Sequence, residues 1–246
     1  MSRLWTERIR VAFAPAALGI VRARRGAEAA EVVACDAQAG AEAWRGALDA
    51  FASAAASWLA LRADVSVVLS NHFLRYALVP QDAALRGGAE ELAFARHAFA
   101  KIHGERSAAW DVLLDREARG PLRVACAIDG ELRRGLQACF PPGAKARLAS
   151  LQPYLMAAFN RRRRQLAAPA AALLLLEPGR ACLARLAHGR WTRLRNLRGE
   201  FEAPQTWTAL LEREQALDGD APEREVLVRP HEDSADPYLA MAQCVS

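Results

Sequence analysis

Lysine is almost missing from this chain of 246 residues: Lys101 and Lys145 are the only two, and arginine carries nearly all the positive charge. With so much alanine beside it, that imbalance reads as a GC-rich coding bias, so the arginine content alone argues for no partner. The net charge of +5 is a small excess. Nucleic-acid binding calls for a clustered basic face, so no nucleic acid is expected. No apolar run is long enough to span a bilayer; the longest, Leu166 to Leu176, is interrupted by Pro169 and followed by Glu177. The opening MSRLWTERIRVAFAP lacks the apolar region of a signal peptide. These absences predict a cytoplasmic protein. Cysteine is scarce and scattered: Cys35, Cys126, Cys139, Cys182 and Cys244 form no CxxC pair and are odd in number. A disulfide frame or zinc site is thereby disfavoured, and the thiols read as small apolar side chains.

What remains is a globular composition, 52% hydrophobic and 25% charged. The length suits one large domain or two lobes, with enough chain for a real core. Strands are predicted at Arg8 to Ala14, Leu18 to Ala23 and Glu31 to Asp36, with breaks at Pro15 and Gly26. A long Ala-rich helix is expected from Ala41 to Leu61, because Trp44, Leu48, Phe51, Ala55, Trp58 and Leu59 recur near helical spacing. Val65 to Asn71 is a continuous apolar run, the pattern of a buried strand. HFLRYALVP follows, ended by Pro80; Glu90 to His103 reads as a helix, and Ala108 to Asp115 and Leu122 to Asp129 as strands. Asp129 is placed to cap a helix from Glu131 to Phe140. A strand at Ala146 to Gln152 and a helix from Pro153 to Leu166 come next.

The most patterned run is AALLLLEPGRACLARLAHGRWTRLRNLRGE, Ala171 to Glu200. It reads as three strands joined by tight turns at Pro178-Gly179 and His188-Gly189. A helix from Pro204 to Leu217, a strand from Arg224 to Pro230 and an irregular tail complete the expectation. The order strand, strand, strand, helix, strand thus occurs twice, from Arg8 to Asn71 and from Ala171 to Pro230, and both first turns carry a proline. Two copies of one unit predict a duplicated two-lobe architecture. The first lobe is expected at residues 1–166, with an inserted subdomain at about 72–118, and a shorter second lobe at 167–246.

The doubled meander is similar to the actin-like (ribonuclease H-like) ATPase fold, an α/β class with mixed sheets. Within it, APAALGIVRARRG, VSVVLSNHFLRYALVP and ALLLLEPGRACLARLAHGRW resemble the branch that serves bacterial pilus and secretion machines. That branch comprises the type IV pilus protein PilM, the related MSHA pilus biogenesis protein and the cytoplasmic domain of the type II secretion L protein. ATP-binding members of the fold present an Asp-x-Gly sequence followed by Ser or Thr at each hairpin turn. Glycine admits phosphate to the backbone amides, and the Asp positions hydrated magnesium. Here the first turn, Ala14 to Gly19, has neither carboxylate nor hydroxyl, and Pro15 has no N–H to offer. In the second, Glu177 stands where the Asp would be, Gly179 is the one glycine and Arg180 is placed to meet a phosphate. The late Gly-Gly turn that contacts adenosine has no counterpart; Asp218-Gly219-Asp220 is the nearest sequence, and Gly87-Gly88 lies elsewhere. The resemblance therefore implies a pseudo-ATPase with no cofactor. If nucleotide binds after all, Glu177, Gly179 and Arg180 would hold it.

Further candidates are weighed by residue type. Ser70, Asn71 and His72 end a buried strand, where polar groups can form a site, but no GxSxG elbow accompanies Ser70 and a satisfied strand end is the simpler reading. Arg161, Arg162, Arg163 and Arg164 spread around a helical turn; they suit either a solvated helix end or contact with an anionic lipid surface. His97 and His103 are six apart on a helix and form no metal motif; Glu90 and Glu91 read as first-turn acids. Asp111 and Asp115 share a strand face and read as solvated. Trp110 and Trp191 are core or partner anchors.

The resemblance implies a non-catalytic scaffold. It would take up a short extended peptide from the cytoplasmic part of an inner-membrane assembly protein, in a groove beside a sheet. The inserted region, absent from the second copy, is the expected partner-facing part, with Phe73, Arg75, Tyr76 and Trp110 as contacts. A homodimer is kept as a further option, and the location is cytoplasmic, peripheral at the inner membrane. The rival expectations are an active ATP-binding protein or kinase of the same fold, and a basic nucleic-acid adaptor resting on Arg161 to Arg164.

Overall fold

The computed structural model describes residues 6–24, 27–38, 40, 42–81, 87–115, 120–217, 226–228 and 236–244. In chain order its elements are β1 (Glu7–Phe13), β2 (Ala17–Arg24), β3 (Ala27–Ala34), α1 (Arg45–Ala56), β4 (Ala63–Leu69), β5 (Leu74–Pro80), α2 (Gly88–His103), β6 (Trp110–Leu114) and β7 (Leu122–Asp129). They continue with α3 (Gly130–Ala138), β8 (Arg147–Pro153), α4 (Tyr154–Arg162), β9 (Ala171–Glu177), β10 (Arg180–Ala187), β11 (Arg190–Arg198), α5 (Pro204–Ala216), β12 (Val226–Val228) and α6 (Pro237–Gln243). Short 3₁₀ turns lie at Gly104–Ala109 and Gln165–Ala167. The chain divides into two compact units, one of Met1–Leu74, Ile128–Arg161 and Pro230–Ser246, the other of Arg75–Ala127 and Arg162–Arg229. Both are discontinuous in sequence, whereas the sequence reading assigned contiguous lobes.

The first unit holds a sheet of order β3-β2-β1-β4-β8. β1 and β2, and β2 and β3, pair antiparallel; β4 lies parallel to β1 and β8 parallel to β4. Apolar residues alternate along β1 because successive side chains point to opposite faces. Ile9, Val11 and Phe13 are fully buried, as are Leu18 and, with 1% exposure, Ile20 of β2. Phe51 of α1 meets Phe13 edge-on with ring centroids 6.0 Å apart, and Trp58 meets Phe51 at 6.1 Å. Each such buried aromatic contributes about 2 kcal/mol of transfer free energy. The expected helix from Ala41 to Leu61 is shorter than its periodicity. It stops at Ala56, where the Ser57 hydroxyl and N–H both donate to the Ala54 carbonyl and draw the chain into tight turns.

The end of the chain, read as irregular, is instead the helix α6. Asp236 caps it, its Oδ1 accepting from Tyr238 N–H at 2.8 Å and Leu239 N–H at 3.1 Å, and Pro237 starts the first turn. α6 packs on the face of the first meander away from α1. A Cβ at Gly19 would lie 2.6 Å from the Tyr238 backbone, so glycine in β2 is what admits the helix. Asp129 caps α3 as its sequence suggests, accepting from Glu131 N–H at 2.8 Å and Leu132 N–H at 3.4 Å.

The second unit holds a sheet of order β11-β10-β9-β12 and a small sheet of order β5-β7-β6. In its larger sheet β9–β10 and β10–β11 are antiparallel and β12 is parallel to β9. This repeats β3-β2-β1-β4 in order and direction, as duplication predicts. One face carries Ala172, Leu174, Ala181 and Leu183 against Leu210 of α5, with Leu176, Leu197, Trp207 and Leu211 around them. Glu214 of α5 is 1% exposed, and Arg193 and Arg195 each reach it at 3.3 Å. The small sheet packs Val79, Val112, Ala125 and Ala127 on Ala95 and Phe99 of α2. Of the expected strand from Arg224 to Pro230, Val226–Val228 is described; Gly26 and Asp218-Gly219-Asp220 lie outside the described residues.

Candidate functional site

The β9–β10 turn is built by two residues with opposite talents. Pro178 fixes its own φ and Gly179 supplies a φ of 74°. The turn sets Glu177 opposite Arg180, and the β10–β11 register sets Arg180 opposite Arg198. Because Leu176, Ala181 and Leu197 face α5, alternation puts Glu177, Arg180, Cys182, Asn196 and Arg198 on the other face.

Arg180 is only 4% exposed. Its Nη1 donates to Asn196 Oδ1 at 3.1 Å, while its Nε finds no hydrogen-bond partner among the described residues. Burial, and then the like charges of Arg75 and Arg198, push the Arg180 guanidinium down to about 10, with Glu177 acting in the opposite sense. Arg75 is also lowered, by burial and by Arg198. Its guanidinium lies 6.0 Å from the centre of the Trp110 ring, within cation–π range. Trp110 in turn meets His103 at 5.0 Å and Phe99 at 6.4 Å. Burial and then Arg75 lower His103, which favours its uncharged ring in this stack. Burial pushes the Cys126 thiol up to about 12 and raises that of Cys182, which favours the protonated thiol in both.

Of the residues expected to meet a partner, Arg75, Tyr76 and Trp110 lie in the second unit. Arg75 and Trp110 come together as described, and Tyr76, also half-buried, points to the opposite face of β5. Phe73 belongs to the other unit and tilts against Phe13 at 5.4 Å. The arginine run is likewise split. Arg161 donates to the carbonyl of Gln243, the last residue of α6, where a cation suits the helix dipole. Arg162 is half-buried, and Arg163 and Arg164 are exposed. At the end of β4, Ser70 N–H donates to Phe13 carbonyl at 2.9 Å, and His72 N–H donates to Ser70 Oγ at 3.1 Å. This is a local turn with the serine hydroxyl engaged. Glu91 accepts both oxygens' worth of contact from Arg123 at 3.0 Å, and Asp115 N–H donates to Val124 carbonyl just beyond β6.

The first turn offers a phosphate little. Ala14 N–H donates to Ala17 carbonyl at 3.3 Å, and Ala16 carbonyl accepts from Cys35 N–H at 2.9 Å. Sequence reasoning found Glu177, Gly179 and Arg180 but missed Asn196 and Arg198. Counting back from the His188-Gly189 turn would set Leu197 opposite Arg180. A bulge between Arg185 and Leu186 shifts the register by one and brings Arg198 there instead.

No family model matches the chain, and no curated protein matches it. Solved structures do. A Bacteroides thetaiotaomicron protein with an actin-like ATPase fold is similar with a TM-score of 0.62 at 11% identity, covering 93% of this chain and 84% of that one. The cytoplasmic domain of EpsL, an inner-membrane component of the Vibrio cholerae type II secretion system, is similar with a TM-score of 0.54 at 12% identity, covering 97% and 94%. A structure of the PilM–PilN type IV pilus biogenesis complex is similar with a TM-score of 0.59 at 15% identity, covering 97% and 85%. The chain has the actin-like ATPase fold, and no helix among the described residues is long and apolar enough to cross a membrane.

Proposed function

We propose that this chain is a non-catalytic, actin-like component of a pilus or type II secretion-like assembly platform. It works in the cytoplasm at the inner membrane and binds the cytoplasmic part of an inner-membrane partner. The fold it shares with the EpsL cytoplasmic domain and with the PilM–PilN complex supports the setting. The observation that carries the non-catalytic half is the first hairpin turn. Ala14, Pro15 and Ala16 bring no carboxylate and no hydroxyl, and the Ala14 amide is spent on Ala17. A hydrated magnesium triphosphate needs amides, a hydroxyl and an acid there, so the residues present do not fit it.

The partner surface in this reading is the small sheet. β5 and β6 are its two edges, and an extended peptide gains backbone hydrogen bonds by adding to such an edge. Arg75 on β5 and Trp110 on β6, which meet on one face of the sheet, supply the side-chain pocket and Tyr76 lies beside it on the β5 edge, while the exposed Arg163 and Arg164 face anionic lipid headgroups. A photo-crosslinker at position 76, used with isolated inner membranes, tests this. Capture of a membrane protein through its cytoplasmic segment, lost in Trp110→Ala, is the expected result; capture unchanged by that substitution overturns the surface. Calorimetry with magnesium ATP separates the rival. No heat is expected, and micromolar binding abolished by Glu177→Ala would establish a nucleotide-binding protein instead.

A further inference from the structure

The third strands of the two meanders, β3 and β11, are both sheet edges, and they carry opposite charge. β3 is exposed at every residue but Val33, and no strand among the described residues pairs with its outer side. Its only charges are acidic, Glu28 and Glu31. They stand three apart, so alternation sets one on each face. The charges of β11 are all arginine: Arg190, Arg193, Arg195 and Arg198. Arg193 and Arg195 share the one carboxylate of Glu214 with Arg213, which leaves the edge basic. Arg195 and Arg198 are exposed and also stand three apart, Arg195 on the α5 face and Arg198 on the other. Charged side chains normally keep an edge from pairing. Here they forbid only like with like: β3 beside β3 gathers acids, β11 beside β11 gathers arginines, and β3 beside β11 joins opposite charges.

We infer that β3 of one copy of this chain adds antiparallel to β11 of a second copy. Setting Glu28 opposite Arg198 sets Glu31 opposite Arg195, because both strands space their charges alike. The same register puts Ala29 opposite Leu197 and the exposed Val32 opposite Leu194. It reaches Val33 opposite Arg193, short of the β11 residues that face the bulge. A slip of one residue would turn each charge to the wrong face. Parallel pairing matches the charges too, but runs Val32 to Ala34 past the end of β11. Glu28 also accepts from Arg10 at 2.5 Å, and a carboxylate has lone pairs for both guanidinium groups. The two surfaces differ, so the contact is heterologous. It uses neither β5 nor β6, and its failure would leave the membrane-partner reading standing.

Sedimentation velocity of the full chain over a concentration series tests this. A strand-on-strand contact is small, so self-association at roughly 100 μM is expected, and it should weaken as salt is raised. Glu28→Arg and Arg198→Glu each bring like charges together and should weaken association by about tenfold or more. Combined in one chain they restore opposite charges, and association should return to within about threefold of the parent. An equal mixture of the two single variants should also associate, since each supplies the edge the other lacks. Glu28→Arg releases Arg10 as well, so Glu31→Arg, on the other face, provides an independent reading and should weaken association similarly. Arg134→Glu, on the exposed side of α3, should behave like the parent. A parent that stays monomeric throughout overturns the contact. So does a double variant as weak as the singles, or association that Arg198→Glu leaves unchanged or that Arg134→Glu weakens equally.

Discussion

The two meanders share strand order and direction, yet one is closed and the other charged. In the first, α1 covers one face and α6 the other, and the turn from Ala14 to Ala16 is apolar and bonded to itself. In the second, α5 covers one face, while the opposite face at the turn end carries Glu177, Arg180, Asn196 and Arg198. The strand framework is maintained by backbone pairing and apolar alternation, which tolerate almost any residue at a turn. The turn residues are therefore free to diverge, and these two copies have gone opposite ways.

The sharpest way to break the closed copy is Gly19→Val. Its side chain would enter the Tyr238 backbone and displace α6, at a cost of about 3 kcal/mol. The third residue of the second meander's middle strand is Cys182, a buried side chain rather than a gap. Cys182→Ala should cost only about 1 kcal/mol. Urea midpoints of the two variants measure the contrast; equal losses would mean that α6 does not depend on Gly19.

Glu214→Gln comes next, at about 2 kcal/mol, because it strips the charge that holds Arg193 and Arg195 beside a core. Burial opposes ionisation of Glu214, but Arg195, Arg193 and Arg213 outweigh it and hold the carboxyl below its ordinary value. A depressed folded-state value means that the pair's stability is fully present above about pH 5 and is lost as pH falls through the carboxylate range. The difference between parent and variant in acid titrations should shrink below about pH 4; a difference that grew on acidification would contradict the pairing.

Asp236→Ala removes the α6 cap and should lower stability by about 1 kcal/mol. It should loosen protection of amides in β1 and β2 while leaving β9 and β10 unchanged, which hydrogen exchange reads directly. The smallest effect is expected for Arg163→Glu with Arg164→Glu: under about 0.5 kcal/mol in stability, with weaker sedimentation on anionic vesicles. Sedimentation equal to the parent's would remove the lipid contact from the proposal.

Much of the fold was legible because its signals are local. Leu122 to Asp129 is the strand its alternation predicts, with Asp129 capping the helix after it. Pro178-Gly179 and His188-Gly189 mark both turns of the second meander, and His188 adopts a φ of 51° in its turn. The first meander, by contrast, gave no hint of what covers it. The Asp-Pro that starts α6 was a readable helix signal, but a seven-residue helix after a polar stretch has too little periodicity to stand out. In the candidate site, Glu177, Gly179 and Arg180 were readable as turn residues with charge. Arg75 was noticed for a different reason, as a partner contact, and nothing local tied it to Arg180.

From its own order of residues the chain determined where most of its strands and helices lie, that one β-rich unit occurs twice, and that the first turn is without phosphate-binding groups. These follow from periodicity, proline and glycine, which act on near neighbours. Tertiary structure alone decided which residues meet: the bulge after Arg185 that exchanges Leu197 for Arg198 opposite Arg180, the helix laid over Gly19, and the approach of Arg75 to the turn. A one-residue change in register turns every later side chain to the other face, and the energy that selects the register is the burial of both faces together. No window of sequence contains that sum.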